Sequence, residues 1–250
     1  MRSRIMKAAV VTGASGGIGS AIARRLAGDG FAVVVGYHHG AETAQNLVSE
    51  LPGDQHRAQR IAVLEPDSLD ALSETVASGF GHLDVLVNCA GMSRPVPHDD
   101  LDGLDDELID TIFATNWRGP FAAIRALRPL LDKGTNPVVV NISSVAGVTG
   151  QGSNVAYCAS KAALDSMTRS LGRALAPRIR VVSVSPGWVM GEYAMRMPQD
   201  VLDTQCEATP LGRLATATDV AAAVSAVVND LPFTTGSIVS VDGGRPLGTS

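Results

Sequence analysis

The chain has 250 residues, 45% of them hydrophobic and 18% charged, with a net charge of −5. So apolar a composition excludes disorder as the dominant state, and an acidic chain with no basic stripe lacks the footprint of a nucleic-acid binder. Three cysteines, Cys89, Cys158 and Cys206, form no C-x-x-C pair, which argues against a disulfide framework or structural zinc and for a cytoplasmic setting.

In chain order, short β-branched runs alternate with longer helical stretches. Strands are expected at 8–11, 32–35, 60–64, 85–87, 138–142, 181–184 and 238–241. These runs are almost continuously apolar, as in parallel strands covered on both faces. Helices are expected between them, at 18–27, 41–51, 68–78, 104–115, 120–131, 155–175 and 217–228. No apolar run approaches the ~18 residues of a membrane span, and Lys7 interrupts the apolar start, so the first residues read as a tail entering a strand. The alternation predicts an α/β fold: one doubly wound domain over 1–250, with a seven-stranded parallel sheet and helices on both faces.

Residues 12–19 read TGASGGIG, after the first strand and opening the first helix. Glycine clusters also make plain turns. Here the strand before and the helix after match a dinucleotide fingerprint, with the backbone close to a pyrophosphate at a helix N-terminus. The candidate contacts are Gly13, Ser15, Gly16, Gly17, Ile18 and Gly19. An NAD site places Asp or Glu at the end of the second strand, on the ribose 2′-hydroxyl. This chain has Tyr37, His38 and His39 there. With no carboxylate to repel a 2′-phosphate, NADP(H) is favoured over NAD(H). The alternative is two exposed loop histidines, because neutral imidazole clamps phosphate far less well than arginine.

The segment YCASK puts Tyr157 and Lys161 four apart on a predicted helix, on one face. Such a pair alone is usually just exposed. Ser143 and Ser144 close a strand at the sheet edge where ligands bind, and Asn116 closes another helix in TNWRGPF. A phenol beside an ammonium and a hydroxyl forms a proton-transfer set, since a nearby cation favours the phenolate.

In order along the chain come TGASGGIG, NCAG at 88–91, Asn116, Ser144, YCASK, PG at 186–187 and VDGG at 241–244. Together they resemble the short-chain dehydrogenase/reductase family over essentially the whole chain. TPLGRL at 209–214 and the VDGG ending bring it nearest the 3-oxoacyl-acyl carrier protein reductase branch. The resemblance implies that Ser144 bonds the substrate carbonyl and that Tyr157 is the acid in reduction and the base in oxidation. It implies that Lys161 binds the cofactor ribose and lowers the phenol pKa, and that Asn116 holds a relay water. Further cofactor contacts are implied at Ala62, Val63, Asn88, Ala90, Gly91, Pro186, Gly187 and Val189, besides Tyr157 and Lys161. The departures from the family pattern are Gly16, where NADP-preferring members often carry a basic residue, Ala62 for an adenine-contacting Asp, Cys89 for a second Asn, and Gly191 for a Thr.

The resemblance also implies a substrate lid over 190–210. Its Tyr193, Met195 and Met197 suit an acyl chain or hydrophobic ketone, or else simply pack on the body of the protein. Gln151 and Asn154 are expected to face the substrate, and Arg125, Arg128 and Arg173 to offer basic ground to an acyl carrier protein or a phosphopantetheine, or else simply to be solvated. A homotetramer is implied, built through the helices near 104–131 and 155–175 and the C-terminal strand. The expected activity is NADP(H)-dependent reduction of a ketone, foremost a 3-oxoacyl thioester. The alternatives are a dehydrogenase of a sugar, steroid or polyketide-type alcohol, and a non-catalytic NADP(H) sensor.

Overall fold

The computed structural model describes residues 6–191 and 194–247. The elements run β1 (Lys7–Val11), α1 (Gly17–Gly28), β2 (Phe31–Tyr37), α2 (Ala41–Glu50), β3 (Arg57–Arg60), α3 (Pro66–Phe80), β4 (Val85–Asn88) and α4 (Asp106–Phe113). Then come α5 (Gly119–Leu131), β5 (Val138–Ile142), a short α6 (Ala146–Thr149), α7 (Val155–Ala174), β6 (Arg180–Pro186) and β7 (Val189–Met190). The last are α8 (Gln199–Glu207), β8 (Ala215–Thr216), α9 (Ala217–Asn229) and β9 (Ile238–Val241). Among the described residues no helix is long and apolar enough to cross a membrane.

Seven strands form one parallel sheet in the order β3-β2-β1-β4-β5-β6-β9. The chain winds outward from β1 to β3, then crosses back to β4 on the other side of β1. That reversal opens a crevice at the carboxyl ends of β1 and β4. Successive residues of each strand serve opposite faces. Ala9 and Val11 join Ile22, Leu26 and Val224 in one core, while Ala8 and Val10 join Leu72, Leu127 and Leu164 in the other. Two apolar faces explain the unbroken hydrophobic runs.

The third strand corrects the expectation of 60–64. It lies at Arg57–Arg60, pairing Arg60 with Tyr37. Ile61 still gives its N–H to the Tyr37 carbonyl at 2.6 Å, and Ala62 and Val63, buried like it, then leave the ladder, turning through the Glu65 N–H to Ala62 carbonyl bond. An edge strand of sequence RAQR carries no apolar signal, so the eye falls on the hydrophobic residues after it. A second difference is that the two helices expected at 104–115 and 120–131 are continuous. They are joined by a π-turn over Ala114–Arg118, so Asn116 lies inside a helical run and does not close one. The small parallel pair of β7 with β8, Val189 beside Ala215, was not expected either.

Candidate active site

Gly13 has φ +66°, and a Cβ there would lie 2.9 Å from the Ala90 Cα; at Gly19 it would strike the Gly13 carbonyl oxygen. The fold itself therefore demands these two glycines. Gly17 is different, because a Cβ there would meet nothing within 4 Å, and at Gly16 only the Gly13 oxygen at 3.5 Å. Space is left over these residues for a group from outside the chain. α1 starts here with no side-chain cap and no acidic residue in its first turn, so its free N–H groups and positive end suit a pyrophosphate. Ile18 packs its side chain on the core beneath. These features fit the dinucleotide.

Thr12 Oγ1 accepts from the Cys89 and Ala90 N–H groups at 3.0 Å each, closing the floor of the crevice between β1 and β4. Asn88 Nδ2 donates to Asn141 Oδ1 at 2.9 Å and braces β4 on β5. Ser15 Oγ donates to the His39 carbonyl at 3.3 Å, tying the glycine loop to the exit of β2. There Tyr37 is half-buried, and His38 and His39 are exposed with ring centroids 4.1 Å apart. Arg60, the in-register neighbour of Tyr37, is held by both oxygens of Glu65 at 2.9 Å. Ala62 and Val63 are buried, Ala62 donating its N–H to Ser68 Oγ at 2.9 Å. On the far side, Gly187 bonds the Val241 carbonyl and Val189 begins β7. The Pro186 carbonyl accepts from Val145 N–H at 3.0 Å.

The proton-transfer candidates converge on the edge formed by β5 and α7. Asn154 caps α7 by accepting from the Tyr157 N–H at 2.7 Å, which sets the helix start and so the direction of the phenol. Lys161 is 6% exposed, and its Nζ donates to the Ile142 carbonyl at 2.9 Å, 5.7 Å from the Tyr157 ring centroid. Ser143 is buried, donating to the Lys161 carbonyl at 3.3 Å, whereas Ser144 is half-buried and accepts from Ala146 N–H. Ser144 is thus the serine available to a substrate. Asn116 Oδ1 accepts from Met92 N–H at 2.9 Å, and its Nδ2 donates to the Met92 carbonyl at 3.0 Å and to Ser160 Oγ at 3.1 Å. A Cβ on Gly91 would lie 3.3 Å from Asn116 Oδ1.

Burial brings the Lys161 ammonium down to about 8. Burial also raises the Tyr157 phenol above its usual value of 10, and the Ser144 hydroxyl acts against that rise. The expected lowering by Lys161 is not present in the chain alone. Its ammonium lies 5.7 Å from the ring centroid and donates to the Ile142 carbonyl.

Other expected positions separate. Asn154 is fully buried, with Nδ2 donating to the Arg94 carbonyl at 2.7 Å and to Ser93 Oγ at 3.3 Å. It faces the protein and not a substrate; Gln151 is exposed. Met195 is exposed and Met197 half-buried, α8 buries no side chain, and Tyr193 lies outside the described residues. Arg125, Arg128 and Arg173 are all exposed, with Arg128 3.7 Å from Asp132. Sequence reading missed Ser160, which donates to the Tyr157 carbonyl at 2.8 Å while receiving Asn116. Its place in YCASK, beside Lys161, was the available signal.

Comparison with known proteins agrees with this arrangement. The family model described as enoyl-(acyl carrier protein) reductase matches residues 13–245. The chain is 38% identical over 243 residues to cis-4-hydroxycyclohexanecarboxylate dehydrogenase of Sinomonas cyclohexanicum, covering 95% of this chain and 96% of that one. It is 34% identical over 245 residues to the 3-oxoacyl-[acyl-carrier-protein] reductase FabG of Staphylococcus aureus, covering 96% and 98%. A solved short-chain dehydrogenase/reductase structure from Burkholderia xenovorans superposes with a TM-score of 0.92 at 32% identity, covering 98% of this chain and all of that one. A match over nearly the full length in sequence and in fold, with the crevice in the expected place, makes the chain a member of the short-chain dehydrogenase/reductase family and an oxidoreductase.

Proposed function

We propose that the protein is an NADP(H)-dependent carbonyl reductase acting on a 3-oxoacyl thioester, with Tyr157 as the proton donor. The observation that carries this reading is the gathering of Ser144, Tyr157, Lys161 and Asn116 at one edge of the sheet, where Asn116 Oδ1 and Lys161 Nζ would lie 3.3 and 3.8 Å from a Cβ on Gly91. The thioester follows from the similarity to the Staphylococcus reductase. NADP(H) follows from Tyr37, His38 and His39, which put no carboxylate at the end of β2. When bound, the nicotinamide supplies the hydride.

The residues divide the remaining work. The Ser144 hydroxyl donates to the substrate carbonyl oxygen and orients it. Tyr157 passes its proton to that oxygen as negative charge develops there. Lys161, beneath the ring, stabilises the phenolate left behind and holds the cofactor ribose. Both amide hydrogens of Asn116 are committed, to Met92 and Ser160. A relay water at that side chain therefore finds an acceptor and no donor. Segment 190–210, with a 3₁₀ turn at Ala194–Arg196 and α8, acts as the lid, and exposed Arg173 offers ground to an acidic carrier. The protein assembles as a cytoplasmic tetramer, a reading supported by the half-exposed stacked pair Trp117 and Phe121 beside Ala163, Ser166 and Ser170 of α7.

The 38% identity to the cyclohexanecarboxylate dehydrogenase favours a second reading, oxidation of a secondary ring alcohol by the same residues in reverse. The test follows absorbance at 340 nm with acetoacetyl thioester and NADPH or NADH, and with 4-hydroxycyclohexanecarboxylate and either oxidised cofactor. Turnover of the thioester with NADPH is expected, falling about 10²–10⁴-fold in Tyr157→Phe. Turnover of the ring alcohol alone would replace the first reading with the second. Unchanged activity in Tyr157→Phe would sink both.

A further inference from the structure

The buried face of α7 carries a second ionisable group that the reaction as described leaves unused. Asp165 is 2% exposed and lies one turn beyond Lys161 on the same face. Neither of its carboxyl oxygens has a hydrogen bond among the described residues. The hydroxyls facing it are committed elsewhere. Ser143 Oγ donates to the Lys161 carbonyl at 3.3 Å. Thr168 Oγ1 donates to the Leu164 carbonyl at 3.0 Å, which leaves Ser183 Oγ to donate to Thr168 at 2.8 Å.

A carboxyl sealed from water with no partner is costly, and so is an ammonium with only one carbonyl. Opposite charges one turn apart on the buried face offset part of each other's cost, although no ion pair joins them among the described residues. Burial raises the Asp165 carboxyl, while the positive charges of Arg169 and Lys161 act against that rise. Arg169, one turn further along α7, is exposed to solvent. Just past β5 and in β6, Ser143 and Ser183 are the polar side chains that face Asp165. Around Lys161 the other titratable groups are Tyr157 and Cys89. Burial pushes the Cys89 thiol up to about 12, so it carries no charge in the working range. Asp165 is the buried acid that acts on the ammonium, from one turn along the same face of α7.

We propose that Asp165 is a positioning residue of the active site, the buried countercharge that keeps Lys161 protonated while Tyr157 transfers its proton. The proposal rests on reading Tyr157 and Lys161 as the proton-transfer pair. Without the carboxylate, Lys161 keeps only the Ile142 carbonyl and turns neutral at lower pH. Its support for the phenolate is then lost within the neutral range, and the alkaline limb of turnover moves down in pH.

The chain has three lysines, Lys7, Lys133 and Lys161, so ¹³Cε-lysine NMR resolves Lys161 directly, with Lys161→Arg for assignment. In Asp165→Asn, close in shape to the native residue, the Lys161 midpoint is expected to fall by about one pH unit. The native chain provides an independent measurement should that variant fail to fold. Its Lys161 resonance should show a second inflection at acid pH, where Asp165 takes up its proton. An unmoved Lys161 midpoint in Asp165→Asn, or a native resonance with a single inflection, overturns the proposal. Neither measurement needs substrate or cofactor. A native chain that turns over no carbonyl or alcohol therefore counts against the proton-transfer reading and leaves the coupling to be judged by NMR.

Discussion

Lysine prefers water, and Lys161 is held where water is scarce. Its ammonium comes down from 10.5 to about 8 on burial. Between those two values the unfolded chain holds a proton that the folded chain lacks, so the Lys161 contribution to stability rises with pH. Below about 8 both states are protonated and the full penalty of burial is present. Cys89 works in the opposite sense above its ordinary 9, since the unfolded thiol ionises while the folded one does not. The isolating comparison is therefore with Lys161→Met. From pH 8 to 10 the urea midpoint of the native chain is expected to rise relative to that variant, and parallel curves would refute the burial argument. Tyr157, Lys161 and Ser144 were legible in the sequence because their spacing is their signal. Asp165 was not, because a polar residue in a helix reads as exposed until the packing is known, and Asn154 read as facing a substrate where it turns into the protein.

At the level of elements, the apolar strands and the helices announced themselves, and what escaped was polar or irregular. β3 is RAQR at a sheet edge, where neither face needs an unbroken apolar run. The π-turn has no residue signature, since an i→i+5 bond is a matter of register and not of composition. Asn154 is one of several side chains that hold the junction before α7, beside the Ser93–Ser153 hydroxyl pair and the His98 ring on the Gly152 carbonyl. Asn154 caps the helix and also ties the segment after β4 to it through Ser93 and Arg94, a seam continued by the Val96 N–H to Ser153 carbonyl bond. Asn154→Ala is expected to destabilise by about 1–3 kcal/mol, beyond the cost of a lost cap alone, because buried partners are left unpaired. Asn154→Asp, which retains the cap but not the amide donors, should fall between the two in urea unfolding. An Asn154→Asp variant as stable as the native chain would mean that the seam contributes nothing.

For the molecule as a whole, the parallel sheet and its two helical layers followed from alternation alone, whereas the outer surface did not. Trp117 and Phe121 stack 6.0 Å apart on the outside of the π-turn and α5, each 37% exposed. Aromatic area left to water in this way is characteristic of a covered interface. Trp117→Glu is expected to shift the assembly to a smaller species in light scattering, with the far-ultraviolet circular dichroism unchanged. A native chain that elutes as a monomer would refute the tetramer, and an unshifted variant would move the contact elsewhere.

The π-turn also makes the active site sensitive to length in a way that substitution does not reveal. Five residues occupy the span between α4 and α5, and the wide turn accommodates one more than a regular helix needs. Removing any one of them lets the run close into an uninterrupted α-helix with both flanks still seated on the core. Asn116 or its replacement then swings away from Met92, and Gly91 loses its neighbour. A single-codon deletion here would leave a protein that folds at least as well yet has lost its geometry, while most substitutions at Ala114 or Thr115 would be tolerated. A deletion scan across 114–118, read for both thermal midpoint and turnover, would show the two properties parting.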